Sequence, residues 1–169
     1  MLFIFGGLPA TGKSELASHL AHRVGAAYLR IDTIEQAMRD GGLEINGPEG
    51  YIVAYRVAAD NLRLGRDVVA DSVNPLAITR QAWRDVARQA GAPFCEIEII
   101  CSDTAEHRRR VETRKSQVPG LRLPSWQDVV ERRYEPWSGD PLVVDTAGQT
   151  PAESKQALMQ ALAAAGIRI

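Results

Sequence analysis

The stretch Gly7-Leu8-Pro9-Ala10-Thr11-Gly12-Lys13-Ser14 fits the pattern G-x-x-x-x-G-K-[ST] in full. An apolar strand candidate, Leu2 to Phe5, runs into it. A helical stretch with Leu16, Leu20 and Val24 on one side runs out. That context suits a turn whose backbone N–H groups converge on phosphate oxygens at the positive end of a helix. Gly7 and Gly12 allow backbone geometry that a side chain would block. Lys13 can reach the β- and γ-phosphates of a nucleoside triphosphate, and Ser14 can ligate Mg²⁺. The expected cofactors are ATP and Mg²⁺. Gly7, Pro9, Ala10, Thr11, Gly12, Lys13, Ser14 and Leu16 are the candidate nucleotide-binding residues of this segment.

Two carboxylates stand where chemistry is expected. Asp32 closes a second strand candidate, Tyr28 to Asp32, and Asp71 closes a third, Asp67 to Asp71. In a parallel sheet, ligands collect beyond the C-terminal strand ends, the same edge as the phosphate loop. Asp32 could take the proton of an acceptor hydroxyl. Asp71 could organise Mg²⁺ or bind the acceptor. Each could instead cap a helix, Asp32 before Thr33 to Asp40 and Asp71 in the turn before Pro75. An ATPase that activates water usually carries a pair of carboxylates at the end of its metal-binding strand. This chain has Asp71-Ser72 there, which favours transfer to an organic hydroxyl over hydrolysis.

The segment His107 to Arg114 holds Arg108, Arg109, Arg110 and Arg114. Arg110 and Arg114, spaced i and i+4, are expected to share a helix face. On a closing flap they could neutralise charge on a phosphoryl group in transfer. The plainer reading is a solvated basic face paired with Glu106 and Glu112. Trp126, Tyr134 and Trp137 interleave with Arg132 and Arg133, as single-strand stacking would require, but such aromatics more often pack a flap. His19, His22 and His107 show no metal-ligand spacing with the cysteines. Val143 to Gln149 mimics the D-x-x-G switch of a small GTPase. It lies at the far end of the chain, and no N-K-x-D exists to read guanine, so it reads as the loop after the last strand.

These residues need a scaffold, and the 169 residues suffice for one domain with one sizeable core. Hydrophobic residues make up 45% and charged residues 24%, which excludes a disordered or fibrous chain. A net charge of −1 provides no global field for duplex nucleic acid or an anionic membrane. No apolar run is long enough to span a bilayer, and the N-terminus lacks the pattern of a signal peptide. Cys95 and Cys101 sit about 20 Å apart if they share a strand, too far for a disulfide. A cytoplasmic protein is expected, acting as a monomer or homodimer.

Five short apolar runs alternate with helical stretches: Leu2 to Phe5, Ala27 to Ile31, Val68 to Ala70, Cys95 to Cys101 and Leu142 to Val144. The alternation predicts an α/β fold with a parallel sheet covered on both faces. Asn74-Pro75 predicts a helix start with Gly91 ending that helix, and Asp103 with Glu106 has capping-box spacing. Thr150, Pro151 and Glu153 predict another start. Pro48 to Leu64 reads as a helix closed by Gly65. Lys115 to Ser125, with Pro119, Gly120 and Pro124, reads as a mobile flap between the basic helical pieces His107 to Arg114 and Trp126 to Tyr134.

Taken together, the phosphate loop, Asp32, the run Ala70 to Pro75 with Arg80, and the arginines 109, 110 and 114 resemble the small P-loop kinases. That group includes chloramphenicol phosphotransferase, gluconate kinase, adenylylsulfate kinase, polynucleotide 5′-kinases and zeta toxins. The likeness is nearest to bacterial predicted kinases labelled AAA-family ATPases. It implies a three-layer α/β/α P-loop NTPase fold with a five-stranded parallel sheet in order 2-3-1-4-5. A helical lid would span roughly residues 104–137 of a single domain, residues 1–169. It implies Asp32 as acceptor-side base and Arg109, Arg110 or Arg114 as lid arginines. Thr146 and Gln149 would lie near the adenine, and Asp71, Asn74 and Arg80 on the acceptor side.

The resulting expectation is a kinase acting on a hydroxyl of a small molecule. A nucleotide-sensing module read by a partner protein is one alternative. An RNA 5′-end kinase is another, but Thr33 to Tyr55 contains only Arg39 among Lys and Arg, which argues against it.

Overall fold

Leu2, Phe3, Ile4 and Phe5 are all buried, so the first strand is covered on both faces. Side chains alternate along a strand, and these four sort into two cores. Phe3 and Phe5 pack with Leu16, Leu20, Ile97, Ile99, Leu158 and Leu162. Leu2 and Ile4 pack with Ala54, Ala58, Leu62, Trp83 and Ala87. Each large apolar side chain buried this way contributes on the order of 2 kcal/mol.

The computed structural model describes residues 1–169. In chain order the elements are β1 (Leu2–Gly6), α1 (Lys13–Val24), β2 (Ala27–Arg30), α2 (Ile31–Asp40), α3 (Glu49–Arg63) and β3 (Val68–Asp71). They continue with α4 (Ala77–Gln89), β4 (Phe94–Ile100), α5 (Thr104–Thr113), α6 (Trp126–Val130), β5 (Leu142–Asp145) and α7 (Pro151–Ala164). The five strands form one sheet in the order β2-β3-β1-β4-β5, with every pair parallel. Helices α1 and α7 cover one face and α3 and α4 the other. This is the three-layer P-loop fold with the expected strand order. No helix is long and apolar enough to cross a membrane.

Several boundaries differ from expectation, each for a local reason. The second strand stops at Arg30, so Asp32 lies in the first turn of α2 and neither ends the strand nor caps the helix. Helix α4 starts at Ala77, not at Pro75, with Leu76 as its N-cap. Asn74 is held in the left-handed region, φ 48°, and the carbonyls of Asn74 and Pro75 accept hydrogen bonds from Arg80, which keeps both residues out of the helix. Helix α6 ends at Val130, well short of Tyr134. Beyond it the chain runs back to α4: the Glu135 N–H donates to the Pro75 carbonyl at 2.8 Å, and Arg80 captures the Glu135 and Pro136 carbonyls. Thr150 and Glu153 form the expected capping box of α7. Asp103 caps α5, but the Glu106 carboxylate does not close the box; it accepts from Arg110 and from the Gly148 N–H.

Candidate active site

The chain leaves β1 through Gly7, whose φ is +139° and where a Cβ would stand 2.2 Å from the Ile99 carbonyl oxygen. It then turns through Ala10 at φ 67° and Gly12 at φ 92° before α1 begins at Lys13. Gly12 is the N-cap and no side chain caps the helix there. The first N–H groups of α1 therefore face outward as anion donors. The loop is tied down on three sides. The Gly7 N–H donates to the Val73 carbonyl at 3.1 Å, the Thr146 hydroxyl to the Thr11 carbonyl at 2.8 Å, and His107 Nε2 to the Pro9 carbonyl at 2.8 Å. The last bond requires a proton on Nε2, because a carbonyl only accepts.

Behind the loop lies a buried charge cluster. Lys13 Nζ donates to Asp71 Oδ1 at 2.6 Å, Tyr28 Oη donates to Oδ2 at 2.6 Å, and Arg30 Nε stands 3.8 Å from Oδ2. Burial alone would raise the Asp71 carboxyl. The Lys13 ammonium, then the Tyr28 and Ser14 hydroxyls, outweigh it and hold the group below its ordinary value. Burial and the adjacent Asp71 charge push the Tyr28 hydroxyl far above its ordinary value, so it stays a donor. The Ser14 hydroxyl and the Asp71 carboxylate are hard oxygen donors of the kind Mg²⁺ prefers. No cluster of three His, Cys, Asp or Glu side chains gathers anywhere in the chain. A two-oxygen set of this kind suits a Mg²⁺ completed by phosphates and water.

Two recesses meet at the loop, and Ala10 and Gly12 line both. The larger, about 1330 Å³, extends from Lys13 and Ser14 past Arg30, Asp32 and Glu35 to Arg114 and Pro124 of the segment between β4 and β5. In it, Glu35 is held above its ordinary value by burial, although Arg39 pulls the other way. The smaller, about 430 Å³, is lined by Leu16, Arg110, Thr146, Gln149 and Pro151 among others.

The candidate residues divide accordingly. Pro9, Ala10, Gly12, Lys13, Ser14, Asp32 and Arg114 line the large recess, and Thr146 and Gln149 the small one. Leu16 borders the small recess but is mainly core, 1% exposed. Gly7, Thr11 and Asp71 line neither and shape the loop from beneath. Arg110 and Arg114 keep the expected i and i+4 relation, but it does not bring their guanidinium groups to one place. Helix α5 ends at Thr113 with Arg114 as its C-cap, and the Arg114 N–H still donates to the Arg110 carbonyl, so both side chains leave on one face, but their guanidinium groups reach different recesses. Arg110 is bound to both Thr146 oxygens and to Glu106, on the side away from Asp32. Arg109 is 70% exposed and lines neither recess, so it has the solvated reading.

Asn74 and Arg80 are also corrected. Both are 0% exposed and outside the recess. Asn74 Nδ2 donates to the Phe5 carbonyl. The Arg80 guanidinium donates to four backbone carbonyls and packs against Tyr134 and Trp137, clasping the return from α6 onto α4. The aromatics are packing groups: the Trp137 indole donates to Tyr134 Oη, Tyr134 donates to Glu98, and Trp126 meets the His107 ring edge-on.

Sequence reasoning missed Tyr28, Arg30, Glu35 and His107. Tyr28 and Arg30 sit on the strand that delivers Asp32, and their period-two spacing placed both on one face. His107 had no local signal, because its partner is 98 residues away.

The sequence matches the family model AAA_33, described as an AAA domain, over residues 2–136. No curated protein sequence matches it. Among solved structures, a gluconokinase from Sinorhizobium meliloti 1021 is similar with a TM-score of 0.67 and 18% identity, over 96% of this chain and 91% of that one. The Mycobacterium tuberculosis APS kinase CysC, in complex with AMPPNP and APS, is similar with a TM-score of 0.66 and 20% identity, over 96% of each chain. Chaetomium thermophilum Kti12, in complex with ADP-AlF3, is similar with a TM-score of 0.69 and 20% identity, over 95% of this chain and 96% of that one. At these identities the likeness is one of fold. The family match covers most of the 169 residues, from the first strand through the arginine segment and the return to α4, and on that extent the chain belongs to the AAA_33 family of P-loop proteins.

Proposed function

We propose that this chain is a phosphotransferase that moves the γ-phosphoryl group of ATP, bound with Mg²⁺, to a hydroxyl of a small-molecule acceptor. The observation that carries this reading is the meeting of two recesses at one phosphate loop, with Asp32 on the wall of the larger. The smaller recess would take the adenosine end, beside Thr146 and Gln149. The larger would take the acceptor. The AMPPNP and APS named for the CysC structure are a nucleotide and an acceptor held together on the same fold, which supports this division.

In this reading the loop N–H groups hold the triphosphate, and Lys13 exchanges Asp71 for the β- and γ-phosphates. Asp32 accepts the proton of the acceptor hydroxyl as its oxygen bonds to the γ-phosphorus. The bond from that phosphorus to the β–γ bridging oxygen breaks and ADP leaves. Arg114, facing Asp32, meets the transferring group. Ser14, with Asp71 behind it, would hold Mg²⁺, whose part is to neutralise charge on the phosphates. Holding both reactants in one geometry supplies most of the acceleration, since phosphoryl transfer leaves little covalent work to the protein.

The test is a screen of hydroxyl compounds with γ-labelled ATP, run on wild type and Lys13→Ala. A labelled organic product made by the wild type alone is expected. A second reading, a nucleotide-sensing module, has one observation in its favour: the His107–Pro9 bond ties helix α5 directly to the phosphate loop. It expects ATP binding, no phosphorylated product from any hydroxyl, and a partner that distinguishes the ATP and ADP states.

A further inference from the structure

The wall of the large recess carries seven Lys and Arg side chains against five Asp and Glu, in a chain whose net charge is −1. The excess is concentrated around Asp32. Arg30 and Arg114 both line the recess there, and in each the Nε–H is fully buried with no hydrogen-bond partner. Such a donor is costly to leave unpaired, and more so on a charged group. Arg30 has one weak bond elsewhere, from Nη1 to Gln117 Oε1 at 3.3 Å, and its approach to Asp71 is a 3.8 Å ion contact. Burial holds the Arg114 guanidinium below its ordinary value; Asp32 opposes that and Arg30 adds to it. Asp71 and Asp32 balance the two charges, but neither Nε–H has a hydrogen-bond acceptor.

A planar guanidinium fork matches the paired oxygens of a carboxylate or phosphate. The transferring phosphoryl group would account for Arg114. It does not account for Arg30. Arg30 ends β2, the edge strand, two places from β1 in the sheet; its Nε lies 3.8 Å from Asp71 Oδ2, while its Nη1 donates to Gln117 on the wall of the large recess. In the phosphotransferase reading the adenosine end of the nucleotide would lie on the opposite side, toward Thr146 and Gln149. Arg30 thus faces the acceptor, beyond the base.

We infer that the acceptor is an anionic hydroxyl compound, a hydroxy acid or a phosphorylated polyol, whose oxyanion is held by Arg30 while Asp32 takes its hydroxyl. This deepens the phosphotransferase reading and rests on it for the hydroxyl, but not for the oxyanion site. Neutral polyols of the same size would leave the Arg30 Nε–H unpaired and bind more weakly. Gln117 would be displaced from Arg30 or share it.

The first test uses inorganic sulfate with the phosphate loop saturated by AMP-PNP and Mg²⁺. The ¹⁵N resonance of Arg30 Nε–H is followed in wild type, and binding is compared by calorimetry in Arg30→Gln and Arg30→Lys. A saturable shift at millimolar sulfate is expected, with affinity lost about 10-fold in Arg30→Gln and partly kept in Arg30→Lys. No saturable shift, or a sulfate site that AMP-PNP displaces, overturns the inference. The second test pairs sugar acids and sugar phosphates with their neutral polyols as acceptors. The anionic member is expected to have a kcat/KM at least 10-fold higher, with Arg30→Gln raising its KM and leaving the KM for ATP unchanged. Equal use of the neutral partner overturns the inference and leaves the kinase reading standing. Failure of AMP-PNP to bind would strike the kinase reading instead, with sulfate at Arg30 still measurable.

Discussion

Lys13 Nζ lies 2.6 Å from Asp71 Oδ1, and both side chains are almost wholly withdrawn from water. The lysine expected to grip a triphosphate is thus stored against a buried carboxylate. Tyr28 and Arg30 stand on the other oxygen of that carboxylate, so Asp71 keeps neighbours when Lys13 moves.

That pairing has a pH signature. The Asp71 carboxyl lies below its ordinary value when folded and returns to about 3.9 when unfolded. A depressed carboxyl stabilises the fold above its unfolded value and loses that contribution as pH falls through the folded value. Chemical denaturation from pH 5 down to pH 2 should therefore show falling stability in wild type. In Lys13→Met the slope should be shallower, and stability at pH 7 lower by about 3–5 kcal/mol, because one partner of a buried pair is gone. Identical slopes in the two proteins would remove Lys13 as the main stabiliser of Asp71.

Asp32→Asn should separate chemistry from nucleotide binding. The residue sits in the first turn of α2, apart from the loop amides, so ATP affinity should stay within about twofold. Loss of a general base lowers kcat by about 10²–10⁴. Single-turnover transfer alongside calorimetric ATP binding reads both quantities. An unchanged kcat would take Asp32 out of the mechanism.

Arg110 and Arg114 should behave differently although they are four residues apart. Arg110 serves the recess with Thr146 and Gln149, so Arg110→Ala should raise the KM for ATP about 10-fold, the worth of one charged hydrogen bond, with little change for the acceptor. Arg114→Ala should lower kcat. Steady-state kinetics with each substrate varied in turn would expose a common phenotype, which would contradict the two-recess division.

Arg80→Ala should act on stability. Its guanidinium holds four backbone carbonyls and two aromatic rings. Removal should cost about 4 kcal/mol and lower the melting temperature by about 10 °C. At low temperature the folded variant should keep the wild-type acceptor KM. A raised acceptor KM with an unchanged melting temperature would restore Arg80 to the substrate side.

The phosphate loop, the parallel sheet and the capping boxes were readable from the chain because each depends on neighbours within a few residues. Gly7 and Gly12 flank a loop whose strand and helix adjoin it in sequence. Thr150 and Glu153 close their box within one turn. The strand order was not readable from spacing; it came through resemblance. The roles of Arg80, Asn74 and His107 could not be read that way, because their partners lie far along the chain and a basic or polar side chain carries no mark of whom it will meet. Arg80 looked like a ligand arginine until the backbone after α6 was brought back beneath it. Likewise, the spacing of Arg110 and Arg114 could tell their common helix face but not where two long side chains would end. Thr146 and Glu106 hold the Arg110 head on one side while the Arg114 head enters the large recess, a choice made by partners far along the chain or across the turn.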